Sequence, residues 1–228
     1  MKKIIRLMIL IVTATLLIFA IYNIYSSASK ASDNRSGASN ASDIADSRVY
    51  KVVVDPGHGG KDRGATGASG HYEKDFTLQL AQKVKELSEQ ETQFEVYMTR
   101  TDDTFISTVD RKRPEFAKRQ GADLFISIHG NTYDDPDVSG TETYYYHEES
   151  LPLAKIMHKQ VVEATGFRDR DVKKEDYFVP KDTDMPAVLL EVGYLTNPQD
   201  EEQLLMDDVQ YRIAASIVDG IKEYLKMK

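Results

Sequence analysis

The 228-residue sequence contains no cysteine. That excludes disulfides and thiolate metal ligands, and it restricts any metal site to His, Asp, Glu and water. Positive charge is also scarce, since 37 acidic residues outnumber 29 basic ones for a formal net charge of −8. The first 47 residues hold five basic and three acidic residues, so the remainder carries about −10. A domain this acidic has no broad basic face for nucleic acid, and it does not draw in anionic polymers by long-range attraction. Binding must be local. Internal repeats are missing, and so is any second folded module.

Long apolar runs are missing too, apart from one at the amino end. Lys2, Lys3 and Arg6 precede a run from Leu7 to about Tyr25, and basic residues on that side predict export of the chain beyond it. The run is near bilayer length, while Ser26-Ser27-Ala28 offers the small residues a signal peptidase accepts. Residues 1–25 are therefore read as a signal anchor or a signal peptide, with the anchor slightly favoured. Membrane contact is expected through this segment if it is retained. Residues 26–47 are Ser, Ala, Asn and Asp with almost no large apolar side chain, which predicts a flexible linker. The folded domain is expected over 48–228, exported to the outer face of the cytoplasmic membrane or the cell wall.

Within that domain the stretch Val52–Gly60 sets the frame. Val52, Val53 and Val54 fit a strand buried on both faces, and Pro56 stops it. Glycines then flank His58 on a loop past the strand's carboxyl end, where open α/β sheets keep their ligands. Phe76, Leu80, Val84 and Leu87 predict a helix over 73–90. Strands are expected at 94–99, 123–129, 141–146 and 187–191, and a short one at 177–180. Helices are expected over 107–120 (capped by Ser107 and kinked or delayed by Pro114), 151–165 and 208–226. Asn197-Pro198 should open a further short helix. Alternation of this kind predicts a single α/β domain with a mostly parallel twisted sheet flanked by helices.

His58, His129 and Glu191 each follow an apolar strand at its carboxyl end, and Glu73 opens the helix after the glycine loop. Two His and one carboxylate suit a catalytic zinc with a position left for water, and a further carboxylate could then move the water's proton. Spacing alone leaves open whether Glu73 or Glu191 is the ligand. Asp55 either orients His58 or only caps the turn. Arg100 is expected to pair with Asp102, Asp103 or Asp110, and Asn131 to contact substrate or shape its loop. His71 reads as a loop residue, His147 and His158 as surface residues.

Four motifs in order, Asp55-Pro56-Gly57-His58-Gly59-Gly60, Glu73-Lys74-Asp75, Ile126-Ser127-Ile128-His129-Gly130-Asn131 and Pro186-Ala187-Val188-Leu189-Leu190-Glu191, resemble the bacterial zinc N-acetylmuramoyl-L-alanine amidases of the type-3 class. The resemblance runs from about Val49 to Leu225. It implies one zinc ion held by His58, Glu73 and His129, with Glu191 as the catalytic carboxylate. It further implies a monomer acting on peptidoglycan, cutting the amide between N-acetylmuramic acid and the first L-alanine of the stem peptide. A non-catalytic wall-binding module and a zinc peptidase acting within the stem are the alternatives. Gly130 departs from the alanine common at that place, and Pro114 interrupts a helix that is usually unbroken. Members acting in Gram-negative division carry an inhibitory helix after the aromatic strand. Here only the four residues His147 to Ser150 lie between Tyr146 and Leu151, which implies a site open without an activator.

Overall fold

Apolar and β-branched segments pair into one six-stranded sheet in the computed structural model, which describes residues 48–226. In chain order the strands are β1 (Tyr50–Pro56), β2 (Phe94–Met98), β3 (Leu124–Asn131), β4 (Thr141–Tyr145), β5 (Asp169–Lys174) and β6 (Ala187–Tyr194). The helices are α1 (Glu73–Ser88), α2 (Lys112–Gln120), α3 (Leu151–Thr165), α4 (Phe178–Lys181), α5 (Pro198–Leu204) and α6 (Asp207–Lys226). Strands lie side by side as β2-β1-β3-β6-β4-β5, and each neighbouring pair is parallel except β4 with β6. The expected single α/β domain with a mostly parallel sheet is the one observed. The segment before residue 48, read above as anchor and linker, lies outside the described residues. No helix among the described residues is long and apolar enough to cross a membrane.

The two faces of the sheet are covered unequally. Val52, Val54, Ile126, Ile128, Val188 and Leu190 point to the side where α1, α3 and α6 build the main core with Phe76, Met157 and Ile217. The intervening residues Val53, Phe125 and Ala187 meet a thinner layer of Ala117 from α2 and Val179 on α4. Strand side chains alternate faces, so Ser127 and His129 share this thinner side with Phe125. A face covered so lightly at its carboxyl edge leaves room for a site.

Three elements differ from expectation. Helix α2 begins at Lys112 rather than 107, with Pro114 in its first turn, where a missing N–H costs nothing. Ser107 accepts a hydrogen bond from the Asp110 N–H at 3.3 Å in a turn and caps no helix. Residues 178–181 are helical rather than extended. The strand in that region is instead β5, whose sequence Asp-Arg-Asp-Val-Lys-Lys carries no apolar alternation to betray it. Asn197 opens α5 as expected, accepting from the N–H groups of Gln199 and Asp200. One 3-10 turn, Glu148–Ser150, joins β4 to α3.

Candidate metal centre

Strands β1, β3 and β6 run parallel, so their carboxyl ends reach one edge together, and their loops set the site. His129 on β3 pairs in register with Glu191 on β6. His58 lies just past β1 with φ 62°, a left-handed conformation costly for a residue with a Cβ. Arg113 holds it there, donating to the His58 carbonyl at 2.6 Å and to that of Pro56 at 2.9 Å. Gly57 has to be glycine because a Cβ would overlap the His129 ring. Gly64, at φ 66°, likewise leaves the space that Glu73 and His58 fill.

Glu73 stands at the first position of α1, 4% exposed, and joins the two histidines. Its Oε1 lies 2.9 Å from His129 Nδ1 and accepts from the Gly130 N–H at 3.1 Å. Its Oε2 lies 3.1 Å from His58 Nε2 and accepts from the Ala65 N–H at 2.8 Å. The imidazoles meet edge to face with centroids 5.0 Å apart. One ligand atom from each of His58, Glu73 and His129 lies within 4.8 Å of the others, a group that could hold a metal ion. Burial works against the Glu73 charge, but bonds from His129 and then His58 outweigh it and hold the carboxyl well below its usual range. Burial likewise disfavours a charged His58, yet Glu73 and Asp62 together raise its pKa. The three donors fit a divalent cation in number, type and spacing.

Asp62 is a member of this site that the sequence does not announce. Its Oδ1 lies 2.9 Å from His58 Nδ1, fixing the ring so that Nε2 faces Glu73. An acid four residues past a loop histidine is the signal that could have found it. Asp55, the candidate for that role, is fully buried elsewhere. It binds Arg113, Thr99 and, at 2.7 Å, the Ser127 hydroxyl. Burial opposes its charge, but Arg113 followed by these donors keeps its pKa below the usual value. Arg100 takes no carboxylate partner among the described hydrogen bonds. Its guanidinium donates to the carbonyls of Pro56, Gly57, Lys74 and Asp102 at 2.8–3.1 Å and so pins the glycine loop.

The remaining histidines stand apart. His71 is exposed and bonds the Ser69 hydroxyl. His147 lies 2.9 Å from the Lys181 carbonyl. His158, expected at the surface, is only 6% exposed, between Thr143 at 3.1 Å and Asp169 at 2.8 Å. It is enclosed mid-helix between β4 and β5, and β5 is the strand the sequence does not announce.

Glu191 completes the edge. Its Oε2 is buried and has no hydrogen-bond partner. Burial, then the charges of Glu73 and Glu142, push its pKa well above the ordinary value. Across on β4, Glu142 is buried but well supplied, accepting from Tyr194 Oη at 2.8 Å, Arg170 Nε at 2.7 Å, Lys173 Nζ at 3.1 Å and also Tyr144. Burial would raise its pKa too, but these donors, Tyr144 and Arg170 foremost, lower it to about 2. Asn131 Nδ2 reaches Glu142 at 3.4 Å while its Oδ1 accepts from the Thr132 N–H, so this side chain shapes the loop.

The chain matches known proteins over this whole domain. The model of the N-acetylmuramoyl-L-alanine amidase family matches residues 52–223. The catalytic domain of CwlV, an N-acetylmuramoyl-L-alanine amidase from Bacillus (Paenibacillus) polymyxa, is 45% identical, with a TM-score of 0.76 covering 79% of this chain and 100% of that one. An N-acetylmuramoyl-L-alanine amidase from Clostridium difficile 630 is 35% identical, with a TM-score of 0.76 over 79% of this chain and 98% of that one. The probable cell wall amidase LytH of Staphylococcus epidermidis is 36% identical over 177 residues, which are 76% of this chain and 57% of LytH. The chain thus spans little more than half the length of that relative. With the matched region enclosing His58, Glu73, His129 and Glu191, the chain belongs to the N-acetylmuramoyl-L-alanine amidase family.

Proposed function

We propose that this chain is a zinc-dependent hydrolase of the amide between N-acetylmuramic acid and the L-alanine that opens the peptidoglycan stem. The convergence of His58, Glu73 and His129 beside a buried carboxylate with an unpartnered oxygen is the observation that carries the reading. These three residues would hold the zinc. When bound, zinc makes water acidic enough to attack near neutral pH and polarises the amide carbonyl.

The chain's own residues do the rest. Asp62 fixes the His58 ring, and the Gly130 and Ala65 N–H groups fix the Glu73 carboxylate. Glu191 Oε2 has no competing donor, so it is available to take a proton from the attacking water and return it to the leaving amine nitrogen. Residues 48–228 form the catalytic domain in this reading. The link between β4 and α3 is a single 3-10 turn, which supports a site open without an activator. Secretion to the cell wall suits the substrate, and the cell-wall name of LytH agrees with it.

The test is digestion of purified peptidoglycan by the full chain, with and without a chelator, followed by mass spectrometry. Intact stems with L-alanine at their amino end, released only with metal present, are expected. Shortened stems would make the chain a peptidase, and bound metal without release would make it a wall-binding module. Glu191→Gln should lower release by about 10²–10⁴-fold, the usual contribution of a proton-transferring side chain, while bound zinc stays in place.

A further inference from the structure

Strand β5 closes the sheet beyond β4, and its pairing explains where its charges go. Thr141 pairs with Asp169 and Thr143 with Val172, so β5 spends one more residue than β4 over the same span. The extra residue falls in this bulge, where Asp171 has a left-handed φ of 75°. In an unbroken strand Arg170 and Lys173, three apart, would point to opposite faces. Here both reach Glu142 Oε1, at 2.7 and 3.1 Å. Val172 between them packs into the main core. Glu142 pairs directly with Glu191, and Glu191 with His129. Residues directly opposite share a face, so the bulge brings two cations onto the face of the candidate site.

Two cations meet on one carboxylate there, in a domain that is otherwise strongly acidic. Both remain reachable from solvent, with side chains 27% and 39% exposed. Lys173 carries three N–H donors and Arg170 five, more than Glu142 can accept, since Tyr144 and Tyr194 also bind it. Strands lie about 4.8 Å apart. Arg170 and Lys173 on β5 are therefore roughly 10 Å from Glu191 on β6, with their side chains leaning back over Glu142. In an extended peptide two residues span about 7 Å. The stem peptide carries carboxylates at that distance and beyond, whereas the sugars on the other side of the scissile amide present hydroxyls and acetamides.

We propose that Arg170 and Lys173, oriented by the Asp171 bulge and by Glu142, form an anion subsite for a carboxylate of the stem peptide. The inference rests on the amidase reading above. It makes the two cations specificity determinants on the leaving side of the cleaved bond.

The test compares the zinc-loaded full chain on N-acetylmuramoyl-L-Ala-D-Glu, both glutamate carboxylates free, and on the same compound with both amidated. A third substrate, amidated at the α-carboxyl and lengthened by one residue through the γ-carboxyl, offers its carboxylate further along. About a tenfold or larger preference for the free carboxylate is expected, carried by KM, as suits a charge-assisted bond. A preference recovered by the longer stem supports the subsite and places its ligand at the later carboxylate. Lys173→Gln and Arg170→Gln should each narrow the ratio toward one. The wild-type comparison needs no variant, so a poorly folding Arg170→Gln leaves the test intact. Titration of the metal-free chain with the dipeptide L-Ala-D-Glu, read by NMR, should show binding that weakens when both glutamate carboxylates are amidated and in Lys173→Gln. Cleavage of all substrates at equal efficiency, or a preference unchanged in both variants, would overturn the subsite alone. No cleavage of any substrate would instead count against the amidase reading.

Discussion

Glu142 and Glu191 stand directly opposite each other in the antiparallel β4–β6 pair, two carboxylates on one face of a sheet. Like charges so placed repel, and the structure resolves the conflict by unequal supply. Glu142 has two tyrosines, an arginine and a lysine to hold its charge. Glu191 has an oxygen with no partner. Glu142 is held ionised, while without metal the Glu191 pKa is pushed upward.

For Glu191 the consequence is a stability cost that grows with pH in the metal-stripped chain. Its folded pKa lies well above 4.5, so above that pH the folded state binds more protons than the unfolded one and stability falls as pH rises. Glu191→Gln removes this cost while leaving Glu73 and the histidines in place. The variant's thermal midpoint should therefore exceed the wild type's by a margin that widens from about pH 4.5 upward. A margin that stays flat across the range from about pH 4.5 to about 8 would mean Glu191 is not held protonated.

Glu142 should behave in the opposite sense. Its pKa falls from 4.5 to about 2 on folding. The stability this contributes is complete above 4.5 and is lost as pH falls toward 2, up to about 3 kcal/mol for a shift of this size. Urea unfolding of Glu142→Gln should show a shallower acid limb than the wild type. Parallel acid limbs would refute the assignment.

The sheet and the four carboxyl-edge residues are legible in the sequence because both rest on local signals. Val52–Val54 and Leu124–Ile128 are apolar runs that fit buried parallel strands, and each leads to a polar residue where such strands present ligands. The hidden features depend on contacts between distant segments. Strand β5 owes its pairing to β4 and a bulge, and nothing in Asp-Arg-Asp-Val-Lys-Lys announces either. His158 reads as a surface residue for the same reason, since it is enclosed by Thr143 on β4 and Asp169 on β5. Asp62 takes the role expected of Asp55 because the fold sends Arg113, 58 residues further on, to claim Asp55.

Asp62 offers a direct test of that role. Its contact with His58 Nδ1 at 2.9 Å fixes which nitrogen faces Glu73. Removing such a partner costs about 10–100-fold in metal affinity. Asp62→Ala should show that loss in a chelator-competition titration, with an unchanged thermal midpoint for the metal-free chain because Asp62 is partly exposed. An affinity equal to wild type would show that the loop alone holds the ring.

The Asp55–Arg113 pair should act on the fold and the site together. Both side chains are almost fully buried, and Arg113 also donates to the carbonyls of Pro56 and His58. Asp55→Ala leaves a buried guanidinium uncompensated, which costs about 3–5 kcal/mol. It also frees the bridge that keeps His58 at positive φ. Denaturant unfolding should therefore show a loss of that size, together with weaker metal binding. Replacing both residues, Asp55→Ala with Arg113→Met, removes the stranded charge and should recover much of the stability. Metal affinity should stay low in the double variant, because the donor to the His58 carbonyl is still missing. If affinity returned with stability, the pair would serve the fold alone, and the His58 conformation would be set by its glycine neighbours.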